Sequence, residues 1–283
     1  MTSQPADAHL EALATDGYTI IEQGMPPDAV ASLLQAMRER SAKLAEVELA
    51  DQPFLNRGHD VLYNLQREDV TYARIFTGNP LVMTLLRGLL NDTWYKQIPQ
   101  DQPNFILRSL IGRSSGERAM PLHIDSFVPS SGKLCIACQV AIVLEDQTPE
   151  RGCTVLVPGS HRSDNYADQS AMADAIPIRA KAGDIVIWDS RIWHGALGNT
   201  TGKSRWSLIA TFVRWWMKQN YDMTGTLPQH IYEALTDDEK AVFGYCSLPP
   251  RDEYDRTDMK AGHDFLKPTV AAYGGGRVGY QEA

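Results

Sequence analysis

Met120-Pro121-Leu122-His123-Ile124-Asp125-Ser126-Phe127 is the stretch on which the reading of this chain turns. Its flanks, Met-Pro-Leu before and Ser-Phe after, suit a short extended segment better than a helix. On an extended strand, residues two apart project from the same face, so His123 and Asp125 can converge on one point. His194 follows seventy-one residues after His123, and Arg205 eleven residues after that. Two imidazoles and a carboxylate are the ligand set of the facial triad that holds non-haem Fe(II) with coordination positions left open.

Outward from this stretch the pattern is one of short β-like runs broken by turn residues. The predicted strands are Trp94–Ile98, Phe105–Ile111, Leu122–Phe127, Leu134–Leu144, Cys153–Val157, Ile176–Ala180, Ile185–Trp188, Trp193–Leu197 and Trp206–Val213. Many short strands with Gly and Pro between them predict a sandwich or closed barrel, mainly β with flanking helices. No βαβ rhythm and no internal repeat is visible, which excludes a Rossmann-like sheet. The N-terminal third adds a strand at Gly17–Ile21. A helix opens at Pro26-Pro27, with Val30, Leu33, Leu34, Met37 and Leu44 on one stripe. A second helix, capped by Asn79-Pro80, ends near Leu90. One further helix is expected at Pro228–Phe243, and Gly274-Gly275-Gly276 marks a mobile tail over Ala271–Ala283.

Asn199-Thr200-Thr201-Gly202 reads as a turn, so Trp193–Leu197 and Trp206–Val213 are expected to form a hairpin with His194 opposite Ser207. In that register Arg205, two positions from Ser207, shares the face of His194. A guanidinium and a hydroxyl behind an iron pocket suit the distal carboxylate of a dicarboxylate such as 2-oxoglutarate, whose other end can chelate the metal. Three protein ligands and two from the co-substrate leave one of six positions for O2.

With these residues in view, the sequence resembles the phytanoyl-CoA dioxygenase family of Fe(II)/2-oxoglutarate-dependent oxygenases. The resemblance is strongest from Pro121 to Ser207. It is carried by Pro121-Leu122-His123-Ile124-Asp125, Val143-Leu144-Glu145-Asp146, Gly152, Val157-Pro158-Gly159-Ser160-His161, Gly183-Asp184, His194-Gly195, Asn199 and Arg205. It implies a double-stranded β-helix, or cupin-like jelly roll. It also implies His123, Asp125 and His194 as iron ligands, and Arg205 assisted by Ser207 as the 2-oxoglutarate anchor. Gln139, on the long central strand, is expected to face the co-substrate too. The family's halogenase relatives carry a small residue where Asp125 stands, so the intact carboxylate points to oxygenation. The expected reaction is oxidation, foremost hydroxylation, of a C–H bond in a small organic molecule, with release of succinate and CO2. A natural-product biosynthetic intermediate is one such substrate. The alternatives are a cupin-like metalloenzyme that does not use 2-oxoglutarate, and a non-catalytic ligand-binding protein on the same fold.

The remaining features exclude other classes. At 283 residues and 43% hydrophobic content, the chain is long enough for one oxygenase domain over 1–283. Within it, 1–93 would hold N-terminal helices and an early strand, 94–217 the β core, and 218–283 a C-terminal helix, loops and tail. A formal charge of −8 argues against nucleic acid as a partner. Met1–Leu13 lacks the apolar run of a signal peptide, and Ser207–Met217, interrupted by Arg214, is too short to span a bilayer. A soluble cytoplasmic protein with no membrane partner is expected, and the sequence leaves its oligomeric state open. Cys135, Cys138, Cys153 and Cys246 read as buried thiols. His161 reads as a loop or hydrogen-bonding histidine, and His9, His59, His230 and His263 as surface or supporting residues. Gly202-Lys203-Ser204 lacks the spacing of a phosphate loop, and Val157–His161 lacks the pattern of a nucleophile elbow.

Overall fold

The computed structural model describes residues 6–45, 61–93 and 102–248. In chain order its elements are α1 (Ala6–Thr15), β1 (Tyr18–Ile21), α2 (Pro27–Ala45), β2 (Val61–Leu62), α3 (Thr71–Thr77), α4 (Pro80–Leu90), β3 (Phe105–Arg113), β4 (Met120–His123) and β5 (Ala137–Val143). They continue with β6 (Thr154–Leu156), β7 (Ile176–Pro177), β8 (Ile185–Asp189), β9 (His194–Ala196), β10 (Ser207–Arg214), α5 (Met223–Thr226), α6 (Gln229–Ala234) and α7 (Asp237–Val242). The expected strand Trp94–Ile98, residues His59 and His263, and the tail 271–283 lie outside the described residues.

The strands form a six-stranded sheet, β1-β8-β5-β10-β3-β2, and a four-stranded sheet, β4-β9-β6-β7. Consecutive strands from β4 to β6 and from β7 to β10 alternate between the sheets, as a double-stranded β-helix requires. This is the fold of the chain, mostly antiparallel with flanking helices. Registers identify the interior. Gln139 faces Trp188 and Ala141 faces Val186 across β5 and β8, while Tyr18 faces Trp188 across β1 and β8. Directly opposed residues share a sheet face. Ala141, Val143, Val186 and Trp188 from the larger sheet close on Leu156 and Ile178, with Ile209 packed against them. Gln139 shares their face by the two-residue period of a strand, as Ser207 shares that of Ile209.

The chain divides into two compact units, Met1–Leu65 with Leu110–Ala210, and Gln66–Ser109 with Thr211–Ala283. In the second unit, Phe212 meets Phe76 and Phe105 edge-on, with centroids at 6.1 and 5.9 Å. The expected cap of α4 is present: the Asn79 side chain accepts the Val82 N–H at 3.1 Å. The single helix expected at Pro228–Phe243 is instead two. Leu235 is extended, and Thr236 starts α7 with a capping box to Glu239. Among the described residues, no helix is long and apolar enough to cross a membrane.

All four cysteines are buried and free. His161 is buried and donates from Nε2 to the Ala14 carbonyl at 3.2 Å. His9, expected as a surface or supporting residue, is 3% exposed and lies 2.8 Å from Thr19 Oγ1. That hydroxyl on β1 pairs with an imidazole on the buried face of α1.

Candidate metal centre

β4 and β9 pair antiparallel, with His123 directly opposite His194 and an irregularity between Met120 and His123. The two rings stand on one face, their centroids 4.2 Å apart. Leu156 lies opposite His194 on β6, so this face is the interior one. Gly195 allows the approach: a Cβ there would sit 2.5 Å from the Met120 carbonyl oxygen.

Asp125 reaches the same point by a different route from the one expected. The strand ends at His123, and Asp125 lies in the bend that follows. Its N–H and that of Ser126 both donate to the Ser190 carbonyl, at 2.8 and 3.0 Å. A backbone carbonyl from the β8–β9 turn thus turns the chain so that the carboxylate faces the two imidazoles. Oδ1 is 3.5 Å from His123 Nε2, and Oδ2 is 3.3 Å from His194 Nε2. One donor atom from each of the three residues lies within 4.8 Å of the other two.

The imidazoles are oriented from behind. His123 Nδ1 donates to the Pro121 carbonyl and His194 Nδ1 to the Ile192 carbonyl, each at 3.0 Å. A carbonyl can only accept, so Nδ1 carries the proton and each Nε2 lone pair is free for a metal. Gln139 Nε2 donates to Asp125 Oδ2 at 2.7 Å. Burial alone would raise the Asp125 carboxyl, yet the charge and hydrogen bonds of His194 and His123 outweigh it and hold it well below the usual range. Burial likewise opposes protonation of His123, but its hydrogen bond with Asp125 wins and raises the imidazole.

The hairpin expected to unite His194 with Arg205 and Ser207 does not form. β9 lies in the four-stranded sheet and β10 in the six-stranded one. The turn residues instead tie elsewhere, with Asn199 bridging Arg151. Ser207 nevertheless opens β10 on its interior face and accepts a hydrogen bond from Gln147 Nε2 at 3.0 Å. Arg205 is 5% exposed; its backbone N–H donates to Ser114 Oγ at 3.1 Å, while its side-chain Nε has no hydrogen-bond partner. Burial pulls its pKa down to about 10, with neighbouring Arg113 and Arg151 acting in the same direction. A buried guanidinium with an unused donor beside two further arginines has the chemistry of an anion site.

Two supporting residues went unread in the sequence. Gln147, beyond the end of β5, carried no motif. The only signal for Arg113 was its place at the end of β3, two positions beyond Ile111 on an alternating strand.

Residues 13–207 match the phytanoyl-CoA dioxygenase (PhyH) family. The chain belongs to that family. It is accordingly an Fe(II)/2-oxoglutarate-dependent dioxygenase, of a family that acts on small molecules. Dioxygenase af480 of Aspergillus fumigatus is 27% identical over 282 residues, covering 96% of this chain and 86% of its own. Among solved structures, the epimerase SnoN with Fe3+, alpha ketoglutarate and nogalamycin RO superposes with a TM-score of 0.56. It is 21% identical and covers 75% of this chain and 84% of its own. HygX from Streptomyces hygroscopicus, with nickel and 2-oxoglutarate bound, gives a TM-score of 0.59 at 15% identity, covering 80% of this chain and 94% of its own. At these identities the structures establish the fold.

Proposed function

We propose that His123, Asp125 and His194 hold Fe(II), and that the enzyme hydroxylates a C–H bond of a small organic substrate while 2-oxoglutarate is converted to succinate and CO2. The observation that carries this is the convergence of two Nε2 atoms and one carboxylate within 4.8 Å, with both Nδ1 atoms bound to backbone carbonyls. The fit is that of a two-histidine, one-carboxylate ferrous site. When bound, iron supplies the activation of O2 that no side chain can provide.

The chain's own residues orient and exclude. Gln139 holds Asp125 Oδ2, so that the carboxylate presents one oxygen to the metal and leaves positions for a chelating co-substrate. Arg205 receives the distal carboxylate of 2-oxoglutarate, with Ser207 assisting; the unpartnered buried Nε supports this role. Gln139, expected to face the co-substrate, also holds Asp125 through its 2.7 Å hydrogen bond. The interior apolar cluster keeps water from the far side of the site. We also take the chain to act as one oxygenase domain; the family match over residues 13–207 supports that reading. The test is succinate release dependent on Fe(II), 2-oxoglutarate and substrate. Activity that persists without added co-substrate would favour a cupin-like enzyme of another kind.

A further inference from the structure

We propose that Phe127, Val128 and Tyr166 form the substrate-recognising rim of the iron site, and that this rim takes a molecule presenting an apolar hydrocarbon surface. The proposal rests on the functional reading above and names the substrate class of the same site.

The three side chains are the most exposed large hydrophobic groups among the described residues, at 65%, 61% and 64%, against 48% or less for the others. They stand on two segments tied to all three candidate iron ligands. Phe127 and Val128 follow directly from Asp125. The segment carrying Tyr166 is fastened beside the histidines. Trp193, adjacent to His194, donates from Nε1 to the Asn165 carbonyl at 3.3 Å. The Gln169 side chain pairs with both backbone groups of Leu122, the neighbour of His123, at 3.0 and 2.8 Å. Tyr166 Oη then donates to the Phe127 carbonyl at 2.9 Å and joins the two segments.

The rim is held rather than loose. Phe127 occupies the left-handed region at φ +65°, which a bulky residue adopts only when its surroundings impose it. Ser126 imposes it, with its N–H on the Ser190 carbonyl and its Oγ on the Val128 carbonyl at 3.0 Å. Further along, the Arg191 guanidinium, clamped by Asp189, donates to the carbonyls of Ser130 and Gly132. The site is partly open: the side chains of His123 and Asp125 remain 35% and 31% exposed, whereas that of His194 is 5% exposed. The Tyr166 hydroxyl is engaged with backbone, so the rim offers two hydrocarbon side chains and an aromatic ring. Such a surface rewards apolar area and gives nothing back to a polar group stripped of water. Its rigidity lowers the ordering cost of binding.

The test uses full-length protein loaded anaerobically with Fe(II) and 2-oxoglutarate. Titration calorimetry would measure 1-adamantanol and 2-naphthol as apolar probes, and glycerol and lysine as polar ones. Apolar probes should bind with one-to-one stoichiometry, and the Phe127→Ser/Val128→Ser double variant should weaken them about tenfold or more. Phe127→Asn, which tolerates the same backbone, should lose affinity too, and Tyr166→Phe should lose less than the double variant. Iron and 2-oxoglutarate binding, measured in the same samples, should stay within about twofold of wild type. Equal probe affinity in wild type and double variant, with metal and co-substrate bound normally, would overturn the rim. So would preferential binding of the polar probes, or a dimer of the wild type that the double variant dissolves. Failure of wild type to bind iron and 2-oxoglutarate would instead overturn the functional reading beneath it.

Discussion

Replacing Arg205 with methionine should separate co-substrate binding from iron binding. Burial holds this guanidinium at a pKa of about 10 against an ordinary 12.5. At about 1.4 kcal/mol per factor of ten, that displacement corresponds to a net cost on the order of 3 kcal/mol, mainly from burial with the charges of Arg113 and Arg151 adding to it. A carboxylate on the unpartnered Nε side would recover an amount of that order. Arg205→Met should therefore raise the dissociation constant of 2-oxoglutarate about 100-fold. Fe(II) affinity should stay within about threefold, because Arg205 is not one of the three converging donor groups. The ligand-free variant should resist urea at least as well as wild type, since methionine fills the space without an uncompensated charge. The assay is anaerobic calorimetry of 2-oxoglutarate into iron-loaded protein, with urea unfolding of both forms in parallel. A change in co-substrate affinity below about threefold would refute the reasoning.

Gln139→Leu removes the amide donor from Asp125 Oδ2 and should lower Fe(II) affinity about 10- to 100-fold; unchanged affinity in an anaerobic iron titration would free Gln139 from this role. Gly195→Ala puts a methyl 2.5 Å from the Met120 carbonyl oxygen, so β9 must move off β4. Iron binding should fall and stability drop by about 1–3 kcal/mol, read by iron titration and urea melts. In the second unit, burial would raise the Glu239 carboxyl, but Arg74 and the Thr236 N–H outweigh it and lower it. A carboxyl lowered in the folded state stabilises above its unfolded value and loses that contribution as pH falls through the folded one. The stability difference between wild type and Glu239→Gln should thus be full above about pH 5 and shrink below it; a difference constant down to pH 3 would contradict the pairing.

Local signals in the sequence survive best in the structure. Asn79-Pro80 caps α4 because the cap is decided by four consecutive residues, Asn79 to Val82. The Val30, Leu33 and Met37 stripe is buried because helical period alone determines which face is apolar. His123 and Asp125 do converge, yet the strand argument behind them holds only as far as His123; the bend depends on Ser190, far along the chain. The chain does bend at Asn199–Gly202, where Asn199 Oδ1 accepts the Thr201 N–H, but a bend does not say whether the next strand pairs locally or crosses to the other sheet, and here it crosses. Gln139 on Asp125 and Gln169 on Leu122 are side-chain contacts between segments, and no spacing rule encodes them.

The account's central claim is tested most directly by anaerobic equilibrium binding of Fe(II) in the presence of 2-oxoglutarate, to wild type and to His123→Ala, Asp125→Ala and His194→Ala. One ferrous ion per chain is predicted for wild type, with a loss of about 100-fold or more in each variant. Variants that bind iron as tightly as wild type, or a wild type that binds none, would contradict it.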